Sequence, residues 1–161
     1  RGSYSYVNAE LTDDVPSLIR TITPPGFGTA FEDGLSGDRL PGSPETQASI
    51  FVSYDQPLSY GPTLTYNVSF SYQGDVLTRT GGRGNSLTLD SWTRTNASVV
   101  YATEDWRATL FVNNVFDEYI ETGVRGTSLS NQTINGSNVR TYGTFVAPPR
   151  TMGVRFSWDI D

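Results

Sequence analysis

The stretch that most constrains the fold lies at the end of the chain. Over residues 150–160 the side chains alternate without a break. Met152, Val154, Phe156, Trp158 and Ile160 fall on one face; Thr151, Gly153, Arg155, Ser157 and Asp159 fall on the other. A period of two marks an extended strand. A strand that is apolar and aromatic on one side and polar on the other divides two different environments. A tilted strand crosses a bilayer in roughly 9–11 residues, and this run is about that long.

The same alternation recurs upstream. Strands are expected over 2–8, 47–55, 63–73, 91–102 and 106–119. Ala48, Ile50, Val52 and Tyr54 share a face, with Phe51 interrupting the opposite one. Leu64, Tyr66, Val68, Phe70 and Tyr72 alternate with Thr, Asn, Ser and Gln. Thr93, Thr95, Ala97, Val99 and Tyr101 alternate with Arg94, Asn96 and Ser98, and Trp106, Ala108, Leu110 and Val112 with Arg107, Thr109 and Asn113. Between the strands the chain is Pro-, Gly- and Asp-rich. Residues 10–44, with Pro24-Pro25-Gly26 and Pro41-Gly42-Ser43-Pro44, read as one long structureless loop, and 123–142 as another.

Composition then narrows the class. At 161 residues the chain suits one domain, yet its 36% apolar content is low for a packed soluble core. No run approaches the ~18 apolar residues of a transmembrane helix. A membrane barrel is still allowed, since only every second residue meets lipid. The net charge of −6 and the lack of a basic patch argue against nucleic acid as a partner. Cys and His are absent, which removes thiolate and imidazole catalysis and Cys-based metal sites, and no Ser sits in Gly-x-Ser-x-Gly. We expect no enzyme and no cofactor. The chain opens at Arg1, inside a strand-like stretch and without a signal peptide, so a fragment of a longer protein is expected.

Alternation alone does not separate a membrane barrel from a soluble β-sandwich, which would show the same pattern with the apolar side turned inward. Two features favour the barrel. Connections run long, short, medium, short, long, the rhythm of barrels with long outer loops and short inner turns. Tyr54, Tyr72, Tyr101, Trp106, Tyr119 and Trp158 sit near strand ends, where aromatics favour a membrane boundary. No Arg lies on an apolar face; Arg94, Arg107 and Arg155 are all expected to face a lumen. The expected fold is thus all-β: about six antiparallel up-and-down strands forming part of a transmembrane barrel. The alternative is a soluble β-sandwich acting as a carbohydrate-binding or adhesin module.

Particular motifs carry a resemblance. Thr151, Gly153, Phe156 and Trp158 resemble the closing-strand signal of bacterial outer-membrane barrels, although the chain runs on through Asp159, Ile160 and Asp161. Asn114-Val115-Phe116-Asp117-Glu118-Tyr119 is similar to the Asn-Leu-Phe-Asp-x-x-Tyr motif of TonB-dependent outer-membrane receptors, with Val115 in place of Leu and Tyr119 following Asp117 by two, a spacing the family also shows. Pro148-Pro149-Arg150-Thr151-Met152-Gly153 resembles that family's lead-in to the last strand, and Arg39-Leu40-Pro41-Gly42-Ser43-Pro44 its Pro-x-x-Pro stretch.

The resemblance implies that residues 1–161 are the C-terminal segment of a plugged barrel of about 22 strands in the bacterial outer membrane. Such a receptor takes up a scarce nutrient: a ferric siderophore, haem, cobalamin or an oligosaccharide. The implied partners are outer-membrane lipid and lipopolysaccharide, the plug domain and remaining strands of the same receptor, the inner-membrane TonB complex, and the barrel-assembly machinery. Asn114, Phe116, Asp117, Tyr119, Pro149, Arg150, Thr151, Gly153, Phe156 and Trp158 are the motif and closing-strand residues. Arg94, Arg107, Asn113 and Arg155 are candidate lumen or plug contacts. Read from the residues alone, Asn114 and Asp117 suit local backbone hydrogen bonding at a strand end, Pro148 and Pro149 suit the start of a strand, and Gly153 marks a bend or a close approach.

Overall fold

The computed structural model describes residues 1–23, 28–84, 86–125, 131–134, 137–140 and 142–158. Pro24-Pro25-Gly26 and the terminal Asp159, Ile160 and Asp161 lie outside them. In chain order the strands are β1 (Gly2–Tyr6), β2 (Val15–Thr23), β3 (Gly28–Gly34), β4 (Thr46–Pro57), β5 (Thr63–Gln73), β6 (Val76–Leu77), β7 (Thr88–Leu89), β8 (Trp92–Ala102), β9 (Trp106–Asn113), β10 (Glu121–Arg125), β11 (Asn131–Ile134), β12 (Ser137–Arg140), β13 (Gly143–Val146) and β14 (Thr151–Trp158). Among the described residues there is no α-helix, and no helix is long and apolar enough to cross a membrane.

Six strands make one antiparallel sheet in the order β1-β4-β5-β8-β9-β14, each beside its neighbour in the up-and-down sequence. The sheet is open: the described parts of β1 and β14 are its two edges. Its register confirms the expected phases. One transverse row runs Val52–Val68–Ala97–Val112–Met152; the next runs Tyr54–Tyr66–Val99–Leu110–Val154; a third runs Gln56–Leu64–Tyr101–Ala108–Phe156. The intervening rows are polar, such as Ser3–Ser49–Ser71–Arg94 and Asp55–Thr65–Val100–Thr109–Arg155.

No described residue covers the apolar face. Leu110 is 57% exposed, Phe156 60% and Val154 72%. A sandwich would bury Leu64, Phe70, Leu110 and Phe156 against a second layer; here there is one layer. The buried apolar side chains among the described residues are Ile19, Val76, Leu89 and Ile120, all in the long connections and none in the six-stranded sheet. A sheet without a core on either side is the arrangement expected where solvent on one face is hydrocarbon.

The dimensions agree. Tyr4 and Tyr72 flank Ala48 near the long-loop end of the apolar face. At the tight-turn end, Trp106 lies opposite Trp158, and its ring sits 5.2 Å from that of Tyr101 and 5.5 Å from that of Phe156. From Thr93, beside Tyr72, to Thr103, whose N–H bonds the Trp106 carbonyl, is ten residues. At about 3.3 Å per residue and a tilt of about 40°, the two aromatic bands stand roughly 25 Å apart, the height of a barrel's apolar belt.

Three expectations need correction. Residues 10–44 are not structureless: β2 and β3 pair there, with a bulge between Val15 and Ile19 and Ser17 at φ 54°. Strand β9 ends at Asn113 rather than near Tyr119, because Asn114 and Asp117 take φ 52° and 56° and turn the chain out of the ladder. The 123–142 region likewise holds strands, β10 paired with β13 and β11 with β12.

Candidate functional site: the closing-strand junction and the polar wall

Asn114, Asp117, Pro149, Arg150 and Thr151 come together where β9 leaves the sheet and β14 enters it, whereas Phe156 and Trp158 lie toward the tight-turn end. Asn114 is the largest fully buried side chain among the described residues. Its Nδ2–H donates to the Glu118 carbonyl (2.9 Å), while its Oδ1 accepts the Glu118 N–H (3.0 Å). Its own N–H donates to Asn96 Oδ1 across the sheet (3.0 Å). The side-chain amide therefore closes the turn, and the backbone N–H of the same residue ties it to β8. Left-handed backbone costs most residues about 1–2 kcal/mol, and Asn and Asp tolerate it best. That is the physical reason for these residue types at 114 and 117.

Asp117 carries the second tie. Its Oδ1 accepts the Arg150 N–H at 2.7 Å, and its Oδ2 lies 3.9 Å from the Arg150 guanidinium. Pro148 and Pro149 precede this N–H and have none of their own, so Arg150 offers the first donor of the incoming strand. Glu118, not singled out in the sequence, holds the β8 side of the junction: its carboxylate accepts the Thr93 N–H (3.2 Å) and hydroxyl (2.6 Å). Phe116 and Tyr119 take no part in these bonds and stand exposed. Tyr119, Asp117, Glu118, Val146 and Pro149 line one recess on the junction.

Below the junction Asn113 faces Thr151, donating from Nδ2 to its hydroxyl at 3.3 Å. Gly153 lies opposite Phe111; a Cβ there would come 2.9 Å from the Phe111 Cζ. The close approach foreseen at this glycine is an aromatic ring folded over it. The Arg155 guanidinium lies 5.8 Å from the centre of the same ring. Phe156 and Trp158 belong to the opposite, apolar face.

The candidate lumen contacts share one face but not one site. Arg94 sits opposite Ser71 toward the long-loop end, Arg155 opposite Thr109 at mid-height, and Arg107 opposite Ala102 and Ser157 at the tight-turn end. Asn113 and Arg155 alone border a common shallow depression, with Phe51, Asn67, Asn96 and Phe111. Much of this face satisfies itself: Ser53 bonds Asn67 (2.8 Å), Asn67 bonds Ser98 (3.4 Å), Asn96 bonds Ser69 (3.0 Å) and Thr65 bonds Asp55 (2.6 Å). The Nε atoms of Arg94 and Trp92 Nε1 are buried there without a hydrogen-bond partner. Among the described residues no cluster of carboxylates could hold a metal.

Three carboxylates of the 10–44 stretch accept backbone N–H groups of that same stretch. Asp33 accepts the Ser17 N–H (2.7 Å), Asp14 the Ser36 N–H (2.8 Å) and Asp38 the Leu35 N–H (2.7 Å). That backbone bond, helped by Arg83, holds the Asp38 carboxyl below its ordinary value of 3.8, against some desolvation.

An uncovered one-layer sheet with an apolar band of bilayer height and a wet face knitted by small polar side chains is part of the wall of a membrane β-barrel. A family model described as TonB dependent receptor-like, beta-barrel matches residues 1–115, and the chain belongs to that family. It is an outer-membrane family of receptors and transporters rather than enzymes. The match ends at Val115, so it covers Thr93, Asn96, Asn113 and Asn114 of the junction but not Asp117, Glu118 or the closing strand. No curated protein and no solved structure matches the chain.

Proposed function

We propose that this chain is the C-terminal wall, outer loops and closing strand of a receptor that draws a scarce nutrient through the bacterial outer membrane. The cargo is one of a ferric siderophore, haem, cobalamin or an oligosaccharide. Energy comes from the inner-membrane TonB complex, acting on a plug domain housed in the complete barrel. The observation that carries this reading is the two-faced single sheet: hydrocarbon-compatible on one side, hydrogen-bonded and Arg-bearing on the other. In this reading Arg94, Arg107, Asn113 and Arg155 face the plug, and Thr151, Gly153, Phe156 and Trp158 present the closing strand to the barrel-assembly machinery.

The test uses the full-length gene. A deletion strain is grown on single iron, cobalamin or glycan sources, with and without a plasmid copy. Loss of growth on one source, restored by the plasmid and dependent on TonB, identifies the cargo. Unchanged uptake of every source, or uptake that persists at full rate without TonB, overturns the proposal.

A further inference from the structure

We propose that Arg39 and Arg83 are reciprocal latches that fuse the described residues of the first outer loop (7–23 and 28–45) and of the second (74–84 and 86–91) into one cap that moves as a single body. That the cap stands over a pore mouth rests on the transport reading; the latching itself does not.

Each loop lends an arginine to the other. Arg39, from the first loop, has a side chain only 17% exposed. It donates to the Asp75 carboxylate at 2.8 Å and to the Asp75 carbonyl, while its Nε lies 3.4 Å from Glu45. Arg83, from the second loop, pairs with Asp38, the residue next to Arg39. Arg39 and Asp38 are largely shielded, while Asp75 is 50% and Glu45 42% exposed, so the Arg39 pairs are partly screened and their hydrogen-bonded geometry, more than bare charge, ties the loops.

The backbones are joined at the same place. Gly81 N–H donates to the Arg39 carbonyl and Gly42 N–H to the Leu77 carbonyl, both at 2.9 Å. Arg79 donates to the Arg20 carbonyl. Two glycines make the approach possible. Gly81, at φ 62°, leaves no room for a Cβ, which would stand 2.6 Å from Asp38 Oδ1. Gly84, at φ 65°, would put a Cβ 2.9 Å from Thr21 Cγ2 and 3.2 Å from Ile19 Cγ2. Ile19 and Thr21 are buried beneath that contact. Ion pairs, backbone bonds and apolar burial thus act across one interface, so opening either loop breaks all of them together. Such coupling makes a single cooperative unit.

Hydrogen exchange on the full-length receptor tests this without any ligand or uptake assay, so its outcome is independent of the transport proposal. In the wild type, amides of both loops should merge onto one opening curve at low urea; two separate curves overturn the inference. Arg83→Ala lies in the second loop, yet β2 and β3 in the first should exchange about tenfold faster. Gly84→Val, which alters no charge, should do the same through steric pressure. Faster exchange confined to 74–91 overturns the latch. The heat-modifiable gel shift of a folded barrel confirms assembly of each variant.

Discussion

At the scale of single residues, Asn114 and Gly153 are where side-chain chemistry decides the structure. Asn114 combines left-handed backbone with two buried amide bonds to Glu118. Each such bond contributes about 1 kcal/mol, and a left-handed Ala adds about 1 kcal/mol of strain. Asn114→Gly should therefore destabilise the full-length barrel by about 2 kcal/mol and Asn114→Ala by about 3 kcal/mol. Thermal loss of the folded gel band measures the order; an Ala variant as stable as the Gly variant would show that backbone strain plays no part. Gly153 is a question of space. A Cβ there displaces the Phe111 ring and with it the Arg155 contact. Gly153→Ala should destabilise by itself and much less in a Phe111→Ala background. A double-mutant cycle should give a coupling of about 1 kcal/mol, and additive effects would refute the contact.

At the scale of elements, what the sequence revealed depended on whether a pattern was local. The six long strands were legible because each alternates against two solvents, and the register put Val52, Val68, Ala97, Val112 and Met152 in one row. The β2–β3 hairpin was not legible. It lies outside the apolar band, so Val15–Thr23 carries no clean two-residue rhythm, and a bulge shifts its phase. The early end of β9 was hidden for another reason: Phe116 keeps the apolar phase of Trp106, Ala108, Leu110 and Val112 while Asn114 and Asp117 break the backbone. The motif residues at the junction were found in the sequence. The β8 partners Asn96 and Thr93 were not, since contacts 18 to 25 residues apart leave no local trace. The same holds for Arg39 with Asp75 and Arg83 with Asp38. Two predictions belong here. Val52 and Ser53 are neighbours on opposite faces, so Val52→Arg should cost about 2–4 kcal/mol and Ser53→Arg about 1 kcal/mol or less. Guanidinium unfolding of the receptor in lipid vesicles compares them, and equal costs would mean that the apolar face does not meet lipid. For the loops, the Asp38 carboxyl is depressed below 3.8 when folded. Its contribution is therefore complete above that value and lost as pH falls through the lower, folded one. Loop protection should hold from pH 7 to pH 5 and fall only below about pH 4, checked by protease nicking of the outer loops across that range.

At the scale of the whole molecule, the six-stranded sheet carries two liabilities that no contact within the described residues removes. The apolar face is bare, and the outward backbone groups of β1 and β14 have no strand beside them. In hydrocarbon each unpaired N–H or C=O costs several kcal/mol, and an edge strand presents a row of them. In water the bare face favours association. The small core around Ile19, Val76, Leu89 and Ile120 lies wholly in the loops and does nothing for the sheet. Neither solvent suits the sheet until further strands close it into a ring, and known membrane barrels begin at about 8 strands. The 161-residue chain expressed alone should therefore aggregate in buffer and give no heat-modifiable band after mixing with lipid, whereas the full-length receptor should give one. A soluble sandwich behaves in the opposite way: monomeric in buffer, with one cooperative unfolding transition and no need of detergent. Sedimentation of the isolated chain in detergent-free buffer separates the two, and a stable monomer there would show that the apolar face has found a partner within the chain itself.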